Sequence, residues 1–351
     1  MGDHFTRTSR MRLSATLVLA MLLVAMLALA GCASGASSGS GQDASGSSSS
    51  DSRSSGMQSS SSRSSGSESS SGSSDGISTS SGVKPRDTVE EYSWEDLARI
   101  SELLHRAEDD GDALEIAKQY NLVNAEGELD GTQTKTISMY KDFETKATII
   151  GFNHDEPTYW TMRAGLTFAF CDTILVDAMD GDGSNAGGWE GSEARELLST
   201  QSHYWLKLPT ELKEAITKVD KRTNNVGEAT DASCVSITED GLWLLSATEV
   251  FGDIGWYEGS ESYANGILDD EGHQYKLFED LGITGTEGME AAFPELARSY
   301  PGGLIWGDSS TWWLRSPCPL DGTSFYCVAS EGMPAVDEAE RPLGILVGFC
   351  I

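Results

Sequence analysis

Few residues in this chain have the types and spacing of a reactive centre. His154 and Asp155 are adjacent, and a histidine beside a carboxylate can carry a proton in acid–base catalysis. Such a pair also anchors loops through hydrogen bonds, and the sequence favours that role here. Gly307-Asp308-Ser309 looks like the nucleophile block of one esterase class, which needs a histidine after the serine. The last histidine is His273, so the order is wrong, and the sequence predicts no nucleophilic hydrolase.

Carboxylate pairs can hydrolyse glycosidic bonds. The chain has 55 Asp and Glu residues against 24 Lys and Arg residues, so acidic pairs are expected by chance on any surface. A carboxylate-based glycan hydrolase therefore stays open as an alternative without a specific signal. The net charge of −31 repels phosphate backbones and argues against nucleic-acid partners.

One loop carries oxygen ligands at spacings that suit calcium. Asp177, Asp180, Asp182 and Asn185 lie at near-alternating positions, and Ca²⁺ prefers such ligands. The EF-hand pattern fails, because Asn185 and Gly191 stand where that loop needs glycine and glutamate. The segment is a candidate calcium site, with a solvated turn as the alternative; no other cofactor is expected.

Aromatic residues offer a second kind of candidate site. Trp312, Trp313 and Arg315 could form a sugar-stacking or cation–π platform. Successive strand residues face opposite sides, so at most one of the two tryptophans is expected to line the core, and the other faces solvent or a second layer. Trp189 is a further candidate ligand contact. Packing is the competing interpretation for all four residues, with Trp189 and Arg195 fixing a helix on a sheet.

The cysteines give no zinc motif, because no CxxC or CxxH spacing occurs. Cys318 and Cys327 flank Asp321-Gly322, a strong turn signal. They would face each other across a hairpin only if the loop spans Asp321 to Ser324, and the reduced pair is the alternative to a disulfide.

The N-terminus predicts export. Three arginines, Arg7, Arg10 and Arg12, precede an apolar run from Thr16 to Ala30, which is typical of a signal peptide over residues 1–31. Leu29-Ala30-Gly31-Cys32 resembles the lipobox of bacterial lipoproteins. That resemblance implies cleavage before Cys32 and a diacylglycerol on its sulfur, which anchors the chain to the cell membrane. The alternative is an ordinary signal peptide with a chance cysteine.

Residues 32–83 are almost entirely serine and glycine with scattered charges. Such a segment cannot bury enough apolar surface to order itself. As a flexible coil it would reach roughly 40 Å, so the sequence predicts a disordered tether that lifts the rest of the chain away from the bilayer.

The remaining elements must position any site. Residues 84–130 are expected to form a small helical hairpin: Ser93 and Asp96 have capping-box spacing, Asp109 to Gly111 end the helix, and Asp112 with Glu115 could cap a second one. Residues 131–351 show strand signals around Ile137 and Ile149. The run from Leu166 to Val176 is nearly continuous and apolar, which predicts one buried central strand. Signals for the start of a helix lie at Ser192 and near Pro209, and strand signals follow towards the C-terminus. This order predicts an α+β fold, not an alternating βαβ one.

Seven sequence strings together form a motif set: GFNHD (151–155), NAGGWEGSEARELL (185–198), LPTELKEAI (208–216), LWLLSATEVFG (242–252), EGHQYKLF (271–278), WWLRSP (312–317) and GFCI (348–351). The set resembles an uncharacterised domain-of-unknown-function family in surface lipoproteins of Gram-positive bacteria. More distantly, the order Leu245–Glu249, Trp313–Ser316 and a final strand is similar to C-type-lectin-like and formylglycine-generating-enzyme-like domains. That likeness implies a loop-rich mixed sheet with short helices.

Together these features predict a lipid-anchored extracytoplasmic surface protein. The chain shows no catalytic signature, so we expect a non-catalytic domain that binds a glycan or a protein. A secreted-side glycan hydrolase and a structural component of the envelope are the two alternatives.

Overall fold

A computed structural model describes residues 82–139, 143–158, 163–225, 235–252, 268–283, 308–319, 321–330 and 332–351. The expected signal peptide, the lipid site Cys32 and the tether as far as Ser81 lie outside the described residues, as does Cys234.

Two helices open the described chain, as the sequence predicts. Helix α1 (Trp94–His105) begins after Ser93, whose hydroxyl accepts a hydrogen bond from Asp96 N at 3.0 Å. Helix α2 (Asp110–Gln119) begins one turn earlier than expected. Asp109 is its N-cap, because this carboxylate accepts from Asp112 N at 2.9 Å. A single-turn 3₁₀ helix, Val89–Glu91, precedes both.

The first sheet is built mainly from β1 (Thr134–Met139), β2 (Phe143–Phe152) and β4 (Leu166–Phe170). Two short strands complete it, β13 (Val347–Cys350) and β8 (Trp243–Leu244). The order is β1-β2-β4-β13-β8, so β1 and β8 are the edge strands, and all pairs are antiparallel. All five residues of β4 are buried, so this strand is covered on both faces.

The second sheet has the order β11-β10-β9-β12-β5. Its strands are β5 (Leu175–Asp177), β9 (Asp308–Pro317), β10 (Ser324–Val328), β11 (Pro334–Glu338) and β12 (Leu343–Ile345). The pair β12–β9 is parallel, and the other pairs are antiparallel.

The expectation of one continuous strand over Leu166–Val176 is wrong. The run divides into β4 in the first sheet and β5 in the second. At the break, Asp172 accepts a hydrogen bond from the Thr145 hydroxyl at 2.9 Å, and Ile174 N donates to Ile345 O in the second sheet. An apolar run shows burial, but it does not show which sheet buries it.

A third, smaller sheet joins β3 (Glu156–Pro157), β6 (Val219–Asn224) and β7 (Val235–Asp240) in that order. Short helices connect the sheets: α3 (Gly188–Gly191), α4 (Glu193–Leu198), α5 (His203–Lys207), α6 (Thr210–Ala215), α7 (Ala247–Phe251) and α8 (Lys276–Asp280). A 3₁₀ turn covers Asp269–Glu271. The α+β class is therefore confirmed.

Helix α1 and the first sheet share one hydrophobic core. Trp94 packs edge-on against Phe168 with ring centroids 5.7 Å apart, and Phe168 stacks on Phe349 at 5.4 Å. None of the helices in the described residues combines the length and apolarity needed to cross a bilayer.

Candidate functional site

The strongest concentration of ionisable groups lies at the meeting point of the three sheets. It comprises Asp155, Lys221, Glu249, Glu271 and Arg315, here named the buried charge cluster. Asp155 lies between β2 and β3, Lys221 on β6 and Arg315 on β9. Glu249 lies on α7, and Glu271 ends the 3₁₀ turn.

Lys221 joins the two halves of this cluster. Its Nζ lies 2.6 Å from Asp155 Oδ1 and 2.6 Å from Glu249 Oε1. The three side chains are 2%, 3% and 1% exposed. The ammonium also lies 4.6 Å from the centroid of the Trp243 ring, so an aromatic face covers it as well as the two carboxylates.

Arg315 holds the other side of Glu249. Its Nη2 donates to Glu249 Oε1 at 2.9 Å and its Nη1 donates to Oε2, which makes a bidentate pair. The remaining guanidinium donors bond to Thr223 Oγ1, Leu244 O and Glu271 O. A fully buried guanidinium needs this many partners, since an unsatisfied buried donor is costly.

Opposing effects set the charges of the two carboxylates. Burial alone would raise the pKa of Glu249, but Arg315 and Lys221 lower this pKa to about 2. Burial also works against ionised Asp155, yet the Lys221 ammonium holds its pKa well below the usual range. Asp155 accepts further hydrogen bonds from Tyr275, Thr167 and Cys350. Both carboxylates are therefore ionised at neutral pH.

Glu271 differs from its neighbours because burial dominates. Its pKa is raised to about 7, against the partial compensation from Arg315. Asn224 N donates to its Oε1 at 3.0 Å, and the Ser316 hydroxyl donates to its Oε2. Ser316 in turn accepts from Ala247 N at 2.9 Å. Glu271 thus ties β6, β9 and the start of α7 together.

Two histidines lie at the solvent side of the cluster. The ring of His154 stacks between His273 and Tyr275, at centroid distances of 3.9 Å from each. His154 Nδ1 lies 3.5 Å from Asp155 Oδ1. Burial is the main reason that the pKa of His273 is lowered. The His154–Asp155 pair predicted from sequence is therefore present, and it serves as a cover over the cluster.

The geometry limits what the cluster can do chemically. The carboxylates of Asp155 and Glu249 are a close pair, the arrangement that glycosidases use, because both contact the same ammonium of Lys221. Lys221 occupies the space between them, and neither carboxylate is more than 3% exposed. In this arrangement the carboxylate oxygens are covered, and their bonds join the elements that carry the cluster.

Open space lies elsewhere, between the segment of α3 and α4 on one side and the end of β7, with Lys218, on the other. This α4–β7 groove has a volume of about 340 Å³. Its ionisable lining residues are Glu190, Arg195, Glu196, Lys218, Glu239 and Asp240. A second opening of about 510 Å³ lies between α1 and the residues after α6, and small residues such as Ala98 and Ala164 line it.

The four predicted ligand contacts are all buried. Trp189, Trp313 and Arg315 are fully buried, and Trp312 is 2% exposed. The structure therefore does not present these side chains as a surface platform. Both faces of β9 are covered, so the second tryptophan meets a second layer and not solvent. Packing explains these residues: Trp313 Nε1 donates to Asp177 O at 3.0 Å.

The packing role predicted for Trp189 and Arg195 agrees with the contacts. Trp189 Nε1 donates to Asp240 Oδ2 at 2.9 Å, and Arg195 Nε donates to Asp240 Oδ1 at 2.8 Å. One buried carboxylate on β7 therefore fixes both α3 and α4 on the third sheet.

The calcium candidates are used within their own loop. Asp177 accepts a hydrogen bond from Ala178 N, Asp180 accepts one from Asp182 N, and Asp182 accepts one from Ser184 N. Asn185 is buried, and its amide nitrogen donates to Cys318 O, Asp321 O and Ser324 O. Across the described part of the chain, no group of three or more His, Cys, Asp or Glu residues is arranged to hold a metal ion. The structure therefore does not gather the four candidates into a site.

The hairpin register differs from the one that a Cys318–Cys327 disulfide requires. Phe325 pairs with Pro317, and Cys327 pairs with Trp313. Cys327 is a free thiol in the structure, and burial raises its pKa to about 12. The turn signal at Asp321 holds, since its side chain accepts from Thr323 N and Ser324 N, but a bulge between Phe325 and Cys327 shifts the pairing.

Sequence reasoning did not find Lys221 or Glu271. A usable signal existed for their partners, because Glu249 and Arg315 are isolated charges in the apolar strings LWLLSATEVFG and WWLRSP. A lone charge in a buried string needs a partner of opposite sign. The strings could not show that these two charges pair with each other.

Comparison with known proteins gives one match. No curated protein and no solved structure is similar to this chain. A family model described as "Domain of unknown function (DUF6273)" matches residues 170–351. The matched range holds most of the strings noted in the sequence, although GFNHD at 151–155 lies before it. Because the model covers more than half of the 351 residues, the chain belongs to the DUF6273 family.

Proposed function

We propose that this chain is a lipid-anchored extracytoplasmic surface protein whose folded part binds an extracellular glycan or protein without catalysis. One observation carries the proposal. The carboxylates, ammonium and guanidinium that most resemble a catalytic set are buried and bonded to one another. Residues that serve in this way stabilise a shape, and a rigid shape held by buried polar groups suits a binding surface.

The lectin-like interpretation belongs to this proposal. It rests on the strings at Leu245–Glu249 and Trp313–Ser316, whose charged members form the Glu249–Arg315 pair. A fixed core of this kind is compatible with a binding module, because loops positioned by a rigid scaffold commonly carry recognition.

The anchor is supported by the basic residues, the apolar run and the lipobox-like string that ends at Cys32. We expect Cys32→Ser to abolish labelling by a fatty-acid probe and to leave the signal segment uncleaved, since the modified sulfur is the acceptor and the processing signal. A Cys32→Ser chain that still takes up the label would show that the lipobox interpretation is wrong.

Binding is tested by applying the purified full-length chain, in detergent, to a glycan array and to an array of extracellular proteins. We expect saturable binding to at least one class of ligand. The same glycans are then incubated with the chain and analysed for new reducing ends. Release of reducing ends would overturn the non-catalytic proposal and favour the hydrolase. A chain that binds nothing on either array would instead favour a structural role in the envelope.

A further inference from the structure

The α4–β7 groove contains an arginine that is held in a fixed position. Arg195 Nε bonds to Asp240, and Asp240 is itself held by Trp189 Nε1 and by the Thr238 hydroxyl at 2.6 Å. The Asp240 side chain is 6% exposed, whereas the Arg195 side chain is 29% exposed. The buried carboxylate therefore orients a guanidinium whose outer part faces the groove, which lowers the entropy that a ligand contact would cost.

The opposite wall supplies a second ion pair. Lys218 Nζ lies 2.6 Å from Glu239 Oε1, with the two side chains 44% and 31% exposed. The Arg195–Asp240 pair joins α4 to β7, and the Lys218–Glu239 pair lies on the β7 side, so each pair presents hydrogen-bond donors beside acceptors. A hydroxyl group can donate to one and accept from the other, so two neighbouring hydroxyls on a ring match this lining.

The charge of the lining selects against anions. Four carboxylates (Glu190, Glu196, Glu239 and Asp240) line the groove, against the two cations Arg195 and Lys218. A sulfated or phosphorylated ligand would meet net negative charge at the site and on the whole chain, whose net charge is −31. The groove volume of about 340 Å³ is at the small end of ligand sites, roughly 300–1,000 Å³.

An aromatic ring lies next to one of the residues that line the groove. Gly241 is a lining residue, and a Cβ built on Gly241 would lie 3.5 Å from Cζ3 of Trp205. Trp205 is half-buried, and its neighbour Leu206 is 66% exposed. A tryptophan ring beside hydroxyl-binding groups is a suitable partner for the apolar face of a sugar ring.

We propose that the α4–β7 groove binds a neutral saccharide, with Arg195, Lys218 and the adjacent carboxylates contacting hydroxyls and Trp205 stacking on a ring. The proposal rests on the proposed binding function and names the ligand class and the site for it.

The test is isothermal titration of the full-length chain, in detergent, with cellohexaose, chitohexaose, maltohexaose and mannohexaose, and with a heparin hexasaccharide as the anionic probe. We expect one neutral oligosaccharide to bind and the heparin probe not to bind. Trp205→Ala and Glu196→Gln should each weaken binding by about tenfold. Trp205→Phe should retain most of the affinity, because it keeps a ring at this position.

The matched control is Leu206→Ala, which removes an exposed apolar side chain beside Trp205, and we expect its affinity to equal that of the original chain. Circular dichroism identifies variants that fail to fold. If Trp205→Ala is one of them, the affinity of Glu196→Gln, a substitution at an exposed position, tests the groove. If a neutral saccharide binds with equal affinity to all variants, the groove proposal is overturned while the binding function stands. Preference for heparin, or no binding of any of these saccharides, overturns the neutral-saccharide proposal, whereas the proposed function fails only if both arrays also give no binding.

Discussion

Glu271→Gln should make the protein more resistant to alkaline pH. The glutamine keeps the size of Glu271 and mimics its protonated form, with its carbonyl placed to accept from Asn224 N. The pKa of Glu271 is about 7 in the folded protein, against an ordinary value of 4.5. The folded state therefore holds this proton more tightly than the unfolded state does. The resulting stability is complete below pH 4.5 and is lost as the pH rises through about 7.

The magnitude follows from the difference between the two pKa values. Between pH 5 and pH 8, ionisation of Glu271 should cost the original chain about 2–3 kcal/mol of unfolding free energy. Glu271→Gln does not ionise, so its stability relative to the original chain should rise by that amount over this interval. Other titrating groups, including Asp155 and Glu249, contribute equally to both proteins to a first approximation and cancel in the comparison.

The assay is urea unfolding at pH 5 and pH 8, followed by tryptophan fluorescence, for the original chain, Glu271→Gln and Glu196→Gln. Glu196 is exposed. The unfolding free energy of Glu196→Gln relative to the original chain should therefore change by less than about 0.5 kcal/mol between the two pH values. The decisive quantity is the unfolding free energy of Glu271→Gln minus that of the original chain. If this difference does not change, or falls, as the pH rises, Glu271 is ionised in the folded protein at pH 5 and this account of the cluster is refuted.

Three further outcomes are expected from urea or thermal unfolding. Lys221→Met should lower the free energy of unfolding by about 3–5 kcal/mol, because it leaves two buried carboxylates with one fewer cation. Lys218→Met breaks an exposed pair and should lower it by less than about 1 kcal/mol. Equal losses in the two variants would contradict the buried role of Lys221. Gly165→Ala should lower the melting temperature by at least about 5 °C, since its Cβ would come 2.0 Å from Ser101 O, and an unchanged melting temperature would contradict that close approach. Ser246→Ala removes the capping box of α7 and should cost about 1 kcal/mol, a loss that disappears if the cap does not form.

Local signals predicted the helices well, because capping chemistry acts over three or four residues. Ser93 caps α1 and Ser192 caps α4 as expected. The second helix begins at Asp110 because Asp109 reaches the N–H of Asp112. A cluster of acidic residues offers several equivalent caps, and the sequence cannot show which one the backbone uses.

Predictions that depended on the environment of a strand were less successful. Alternation along β9 put the two tryptophans on opposite faces but could not show whether the second face meets solvent or a second layer; both are buried because other elements cover both faces of the strand. The same limit affected the candidate disulfide, since a shift of two residues along β9 lies between the Phe325–Pro317 pair and the Cys327–Trp313 pair. Register and cover are tertiary properties, and periodicity in a single strand does not contain them.

The candidate site shows where this limit matters most for function. Glu249 and Arg315 are 66 positions apart and form one bidentate pair, and Lys221 then links them to Asp155. Replacing such a cluster with apolar residues is often neutral for stability, because desolvation offsets the attraction between the charges. Its contribution is therefore better sought in geometry: guanidinium, ammonium and carboxylates can be satisfied together only if β6, β9, α7 and the turn at Glu271 meet at one point. The α4–β7 groove is attached to this framework through β6 and β7. The orientation of its walls, and hence the fit of any ligand, should depend on a cluster that the ligand never touches.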